Sequence, residues 1–159
     1  MFNMIINGFD TGSIPNCYVT DYGEEQMAQP RFDNNTIYGA NGDYPIYDGA
    51  YDGYDKTVSL YVVKEEEVRK ILEQFNQQNN VVEFGHRPGS IFYADYAGSS
   101  FRQNGIHAWS LEIKLKMHPF RYQKNNTEVV LTSNGTVTNP GTVYSEPVIT
   151  IEGNGDVTL

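Results

Sequence analysis

Residues 106–117 read IHAWSLEIKLKM, and their period of two decides the fold class. Trp109, Leu111, Ile113, Leu115 and Met117 alternate with Ser110, Glu112, Lys114 and Lys116. Successive side chains of a strand point to opposite faces, so the spacing predicts a strand over Ile106–Met117 with one buried and one wet face. Shorter stretches of the same character lie upstream: Phe2–Ile6, Cys17–Tyr22, Thr57–Val63, Val81–Phe84 and Ile91–Tyr96. One segment breaks the rhythm. In Lys64–Gln78, the residues Val68, Ile71, Leu72 and Phe75 recur at i, i+3, i+4 and i+7, which predicts a helix over about 64–78. Glu65, Glu66 and Glu67 stand at its start, where the helix dipole favours negative charge, and Asn79-Asn80 predicts its end. So short a helix does not persist alone and needs a sheet to pack on. The chain is mainly β with one flanking α-helix.

Length and composition bound the rest. A chain of 159 residues and 18.0 kDa is one domain, or one domain with part of a second. Asp and Glu number 20 against 11 Lys and Arg, a net charge of -9, which speaks against sequence-independent binding to a phosphate backbone and against an anionic membrane as partner. A single cysteine allows no internal disulfide. The first basic residue is Arg31, so the chain opens without the basic start of a secretory signal, and no apolar run approaches a membrane span. After Pro119 the texture turns to Asn, Thr and Gly with short β runs at Val129–Leu131, Thr136–Thr138, Val148–Ile151 and Val157–Leu159. This places a boundary near residue 122: a first β domain over 1–122, then 123–159 as the start of a second, incomplete β domain. The last run reaches Leu159 unfinished and reads as a cut.

Charge and aromatics concentrate in one stretch. Residues 1–60 hold nine acids and two bases, and the acids fall mainly in Gly23–Lys56 or beside it. That stretch has few aliphatics, five Gly and two Pro, so it cannot build a core of its own. Asn41-Gly42 is a tight-turn signal, with Phe32, Ile37 and Tyr38 before it and Tyr44, Ile46 and Tyr47 after it, which predicts a long hairpin arm. A two-stranded ribbon is marginal in water. Tyr38, Asn41, Gly42, Tyr44, Tyr47, Tyr51 and Tyr54 are therefore the candidate subunit-interface residues, since tyrosine joins apolar area to a polar tip. Composition leaves open that the tyrosines stack on sugars or cover their own domain.

Catalytic and metal signatures fail on spacing. Cys17 sits in an alternating stretch, where a small buried thiol is the ordinary reading. His86, His107 and His118 lie far apart, without a zinc motif; His107 shares the parity of Trp109 and reads as partly buried, and His118 precedes Pro119 at a strand end. Asp43, Asp48, Asp52 and Asp55 offer hard oxygens at a spacing that does not match a calcium loop. Gly153-Asn154-Gly155 lacks the third Gly and the helix of a phosphate cradle. No catalytic residue, no metal and no cofactor is assigned, and the chain does not read as an enzyme.

Four stretches together resemble the distal tail proteins of long-tailed, siphovirus-type bacteriophages: MIINGFDTGSI, IYGANGDYPIYDGAYDGYDKTVSLYV, WSLEIKLKMHPFRY and NPGTVYSEPVITIEGNGDVTL. The resemblance implies a β-sandwich of tail-tube type with a flanking helix and a hairpin arm that belts a ring, usually of six subunits. It implies a structural virion component at the tail tip, assembled in the host cytoplasm, that joins the tail tube protein to tail-tip or receptor-binding proteins. DNA would pass through the lumen without sequence-specific binding, and acidic walls would repel it. The fourth stretch resembles the opening of that family's second domain. A rival from another class, a carbohydrate-binding β-sandwich using Tyr44, Tyr47, Tyr51 and Tyr54 as a platform, explains the aromatics but not the helix.

Overall fold

The computed structural model describes residues 2–39, 41–125 and 128–153. The strands are β1 Met4–Ile6, β2 Phe9–Asp10, β3 Tyr18–Asp21, β4 Gln29–Thr36, β5 Asp43–Asp52, β6 Tyr54–Val62, β7 Asn80–Phe84, β8 Ser90–Gln103 and β9 Trp109–Gln123. One helix, α1 Glu65–Leu72, and one 3-10 turn at Thr11–Ser13 complete the described elements. Seven strands form an antiparallel sheet in the order β2-β1-β7-β8-β9-β6-β3, while β4 and β5 pair only with each other. The large sheet curls back on itself: the Val19 amide at its β3 edge donates to the Phe2 carbonyl, just ahead of β1, at 2.9 Å. The result is a mainly β sandwich with one helix and a long hairpin arm.

The alternation that sets the fold class is realised in β9. Leu111, Ile113, Leu115 and Met117 are buried, Trp109 packs half-buried against them, and Glu112, Lys114 and Lys116 are exposed. β6 lies alongside in an unbroken register from Tyr54 opposite Met117 to Val62 opposite Trp109, and it adds Val58, Leu60 and Val62 to the same core. The helix contributes Val68 and Ile71, with Leu72 and Phe75 partly buried against the core.

Several boundaries differ from the sequence reading; β6 begins earlier, at Tyr54, and β8 runs past Tyr96 to Gln103. The helix stops at Leu72, short of Gln78, because later carbonyls are claimed by side chains. The Asn7 amide donates to the Gln74 carbonyl and the Asn80 amide to the Gln77 carbonyl, both at 2.8 Å, and the chain passes through a left-handed Asn79 into β7. Strand β9 begins at Trp109, so Ile106 and His107 are exposed loop residues. It also runs through His118 and Pro119 to Gln123, because Pro119 falls where β6 has ended and where the β8 register shifts between Phe92 and Ala94. Finally, the two-residue Asn-Gly turn forms at Asn7-Gly8, not at Asn41-Gly42. Both Asn7 and Gly8 have positive φ (49° and 89°), and Ile6 pairs directly with Phe9.

The chain separates into two units, Met1–Asn125 and Asn126–Leu159. In the second, residues 128–153 contain no strand, so the runs at Val129–Leu131, Thr136–Thr138 and Val148–Ile151 stay unpaired and their apolar side chains largely exposed. A strand needs a partner to satisfy its amides, and these runs have none within the unit's described residues. Val157–Leu159 and most of Gly153-Asn154-Gly155 lie outside the described residues.

Candidate functional site: the arm and its root

The arm pairs Gln29 with Asp52 at its base and Thr36 with Asp43 at its far end. Its tip is a six-residue loop over 37–42, wider than a two-residue turn. Gly39 and Gly42 both take left-handed φ there (84° and 86°). Ile37 and Tyr38 thus belong to the loop rather than to a strand, and Tyr38 is fully exposed. Thr36 Oγ1 donates to Asp43 Oδ1 at 3.2 Å and closes the loop's base.

Register sorts the arm's side chains. Phe32 stands opposite Tyr47 on one face. Ile46, opposite Asp33, and Tyr44, opposite Asn35, lie on the other. All four apolar residues are between 53% and 65% exposed, on both faces of a ribbon with no third layer among the described residues. Tyr44 and Tyr47 therefore cannot share one flat platform for a sugar. Tyr51 and Tyr54 are different: the Tyr51 ring meets Phe120 edge-on at 5.1 Å, and Tyr54 packs half-buried on the core. Burial, and then the Glu25 charge, push the Tyr54 phenol above its ordinary 10.0. Of the seven sequence candidates, five stand out on the arm or its tip and two are seated on their own sandwich.

The root is a polar clamp that sequence reasoning missed. Glu25 accepts from His86 Nε2 at 2.8 Å through Oε1 and from Arg87 Nη2 at 3.0 Å through Oε2. His86 in turn lies against the Tyr22 ring at 4.1 Å. Burial works to raise the Glu25 carboxyl, but the hydrogen bonds from Arg87 and His86 outweigh it and hold the group below 4.5. Beside it the buried Lys56 ammonium donates to the carbonyls of Glu24 at 3.0 Å and Gly23 at 3.3 Å, and lies 5.2 Å from the Phe84 ring centre. Burial pulls the Lys56 amine below 10.5, with Glu25 and Asp21 opposing. Gly23 is irreplaceable by the same geometry: a Cβ there would sit 2.2 Å from the Thr57 carbonyl oxygen, at a φ of +67°. One signal was present in the sequence, because Lys56 shares the inward parity of Val58, Leu60 and Val62.

The other candidate groups do not converge. Cys17 is buried, and burial, reinforced by Glu67 and Asp10, pushes its thiol up to about 11, so the nucleophilic thiolate is scarce at neutral pH. His107 is exposed because it precedes the strand, and its carbonyl accepts from the Tyr61 hydroxyl at 3.2 Å. His118 Nε2 stands 3.9 Å from Asp95 Oδ2. Asp43 sits at the arm's end, Asp48 pairs with Arg31, Asp52 closes the base, and Asp55 lies on β6 opposite Lys116. Among the described residues no three His, Cys, Asp or Glu side chains are placed to hold a metal, and no helix is long and apolar enough to cross a membrane.

No protein-family profile matches the chain, and a search of curated proteins returns no match. Among solved structures the chain is similar to the SPP1 Dit (gp 19.1) protein, described as a paradigm of the hub adsorption apparatus in phages that infect Gram-positive hosts. The TM-score is 0.57 at 17% identity, over 77% of this chain and 52% of that one, so the chain spans about half the length of the Dit protein it matches. The sequence resemblance to distal tail proteins holds at the level of fold.

Proposed function

We propose that this chain is a structural component of a phage tail tip, in which copies close into a ring, six in number, and the arm of each is received by the next. The observation that carries this reading is the arm itself, which orders exposed Phe32, Tyr44, Ile46 and Tyr47 on both faces of a ribbon attached to a Dit-like sandwich. Fixing such a ribbon costs about 1–2 kcal/mol of backbone entropy per residue, and burial on a neighbouring copy offsets that cost. The ring joins the tail tube protein to tail-tip or receptor-binding proteins and lets DNA through its lumen. Its net charge of -9 keeps the wall from trapping phosphate. The role is mechanical, needs no catalytic residue, and places the protein in the virion after assembly in the host cytoplasm.

Solution mass tests this directly. The assembled protein is expected at about six times 18.0 kDa. Replacing Asn35–Asp48 with a short Gly linker should leave a folded monomer. A full-length chain that stays monomeric at high concentration, or a deletion variant that still forms the ring, overturns the proposal.

A further inference from the structure

The arm is not a uniform ribbon. Pro30 stands opposite Tyr51 and Phe32 opposite Tyr47, so Arg31 alone faces three residues, Asp48, Gly49 and Ala50. Such a bulge bends its strand and interrupts the ladder. Gly49 takes a left-handed φ of 82°, and Asp48 Oδ1 accepts from the Ala50 amide at 2.8 Å. The other carboxylate oxygen, Asp48 Oδ2, receives Arg31 Nη2 at 2.6 Å and Nε at 2.7 Å across the bulge. Inward of this point the ribbon is fastened: Tyr51 lies on Phe120, a Cβ on Gly53 would meet the Met117 carbonyl oxygen at 2.4 Å, and the Glu25 clamp holds the incoming strand. Outward of it, every residue of Phe32–Thr36 and Asp43–Tyr47 is exposed.

We propose that the bulge is an elbow, with the Arg31–Asp48 ion pair as its latch. While the pair holds, the outer segment keeps one angle to the sandwich. When the pair opens, the outer segment swings about Arg31 and Gly49 while the inner segment stays seated on Phe120. Both partners are about half exposed, and a pair so placed is weak and screened by salt, so the latch yields easily. The excess of two residues preserves parity, so Phe32 and Tyr47 keep the face they would have in a straight ribbon. The arm can thus re-aim its apolar residues toward a receiving surface without disturbing the core. The elbow belongs to one chain, and only the identity of what the arm meets rests on the ring reading.

Spin-label distances test the elbow on the full chain, in a Cys17→Ala background and under conditions where its mass is that of a monomer. Labels at Asn35→Cys and Lys114→Cys span the elbow; labels at Asp52→Cys and Lys114→Cys stop short of it. Arg31→Ala, and separately high salt, should broaden the 35–114 distances and leave the 52–114 distances unchanged. Deleting Gly49 and Ala50 restores one-to-one pairing and should give a narrow 35–114 distribution that salt no longer broadens. Equal widths with and without Arg31, or a 52–114 distribution that broadens in step, overturns the elbow. A thermal melt of each variant separates these results from loss of the fold, and the mass of the unlabelled chain at high concentration reports on the ring independently.

Discussion

Two antiparallel ladders in this molecule are built alike and end differently. The β6–β9 ladder and the β4–β5 ladder are both long and both carry aromatic or branched residues at alternate positions. In the first, Val58, Leu60, Leu111, Ile113 and Leu115 vanish beneath the curled sheet and the helix. In the second, Phe32, Tyr44, Ile46 and Tyr47 stay more than half exposed. The difference lies in the third layer rather than in the hydrogen bonds. A backbone hydrogen bond exchanged with water nets about 0.5–1.5 kcal/mol, whereas burying a Val, Leu or Phe side chain contributes about 1.5–3 kcal/mol. A ladder without cover is a geometry looking for a surface.

The comparison breaks most visibly at Ile113. Ile113→Ala should destabilise the chain by about 2–5 kcal/mol in a urea titration, by lost transfer energy and a residual cavity. A near-zero loss would mean that the two ladders are energetically equivalent. Next in size is Lys56→Ala, which removes the donor from the Gly23 and Glu24 carbonyls; the expected loss is about 1–3 kcal/mol, with faster amide exchange over residues 23–28. If exchange there is unaltered, the clamp does not hold the arm's root. Smaller still is a pH effect at the same place. Because the Glu25 carboxyl sits below 4.5 in the fold, its contribution is complete above pH 4.5 and is lost as pH falls through the folded value. Urea midpoints should therefore fall more steeply between about pH 5 and pH 3 for the natural chain than for Glu25→Gln. Parallel curves would remove Glu25 from the account. Smallest is Tyr44→Ser, which should change monomer stability by no more than about 0.5 kcal/mol, while weakening ring assembly if the neighbour receives the arm.

What could be read from sequence follows from how far apart the partners are. The alternation at Trp109–Met117 and the helical stripe at Val68–Phe75 are local patterns, and both landed on buried faces. The helical pattern overruns the helix itself, whose end is set by Asn7 and Asn80, and the Asn7 contact spans 67 residues. The Asn-Gly signal occurs twice, and the dipeptide alone does not distinguish Asn7-Gly8, whose flanking residues pair at once, from Asn41-Gly42, which lies inside a wider loop. Tyr44, Tyr47, Tyr51 and Tyr54 look equivalent in a list of residues, yet Phe120 and the core take two of them. The root clamp joins Glu25 to His86 across 61 positions, and the buried Lys56 was its only local trace.

The position of β9 has a consequence for the order in which the molecule can be made. This strand lies between β8 and β6, yet it is the last of the sheet to leave the ribosome. Until it arrives, β6 and β8 lack the strand that pairs with both, and the two sides of the sheet meet only at the Val19–Phe2 closure. Completion of the sheet therefore waits for β9, and proceeds through pairings as distant as Tyr54 with Met117. Proteins dominated by such distant pairings fold on a scale of about milliseconds to seconds. The arm's pairing is local by comparison. A two-stranded ribbon is marginal alone, so the arm gains its seat on Phe120 and its clamp at Glu25 only when the body that carries it has formed.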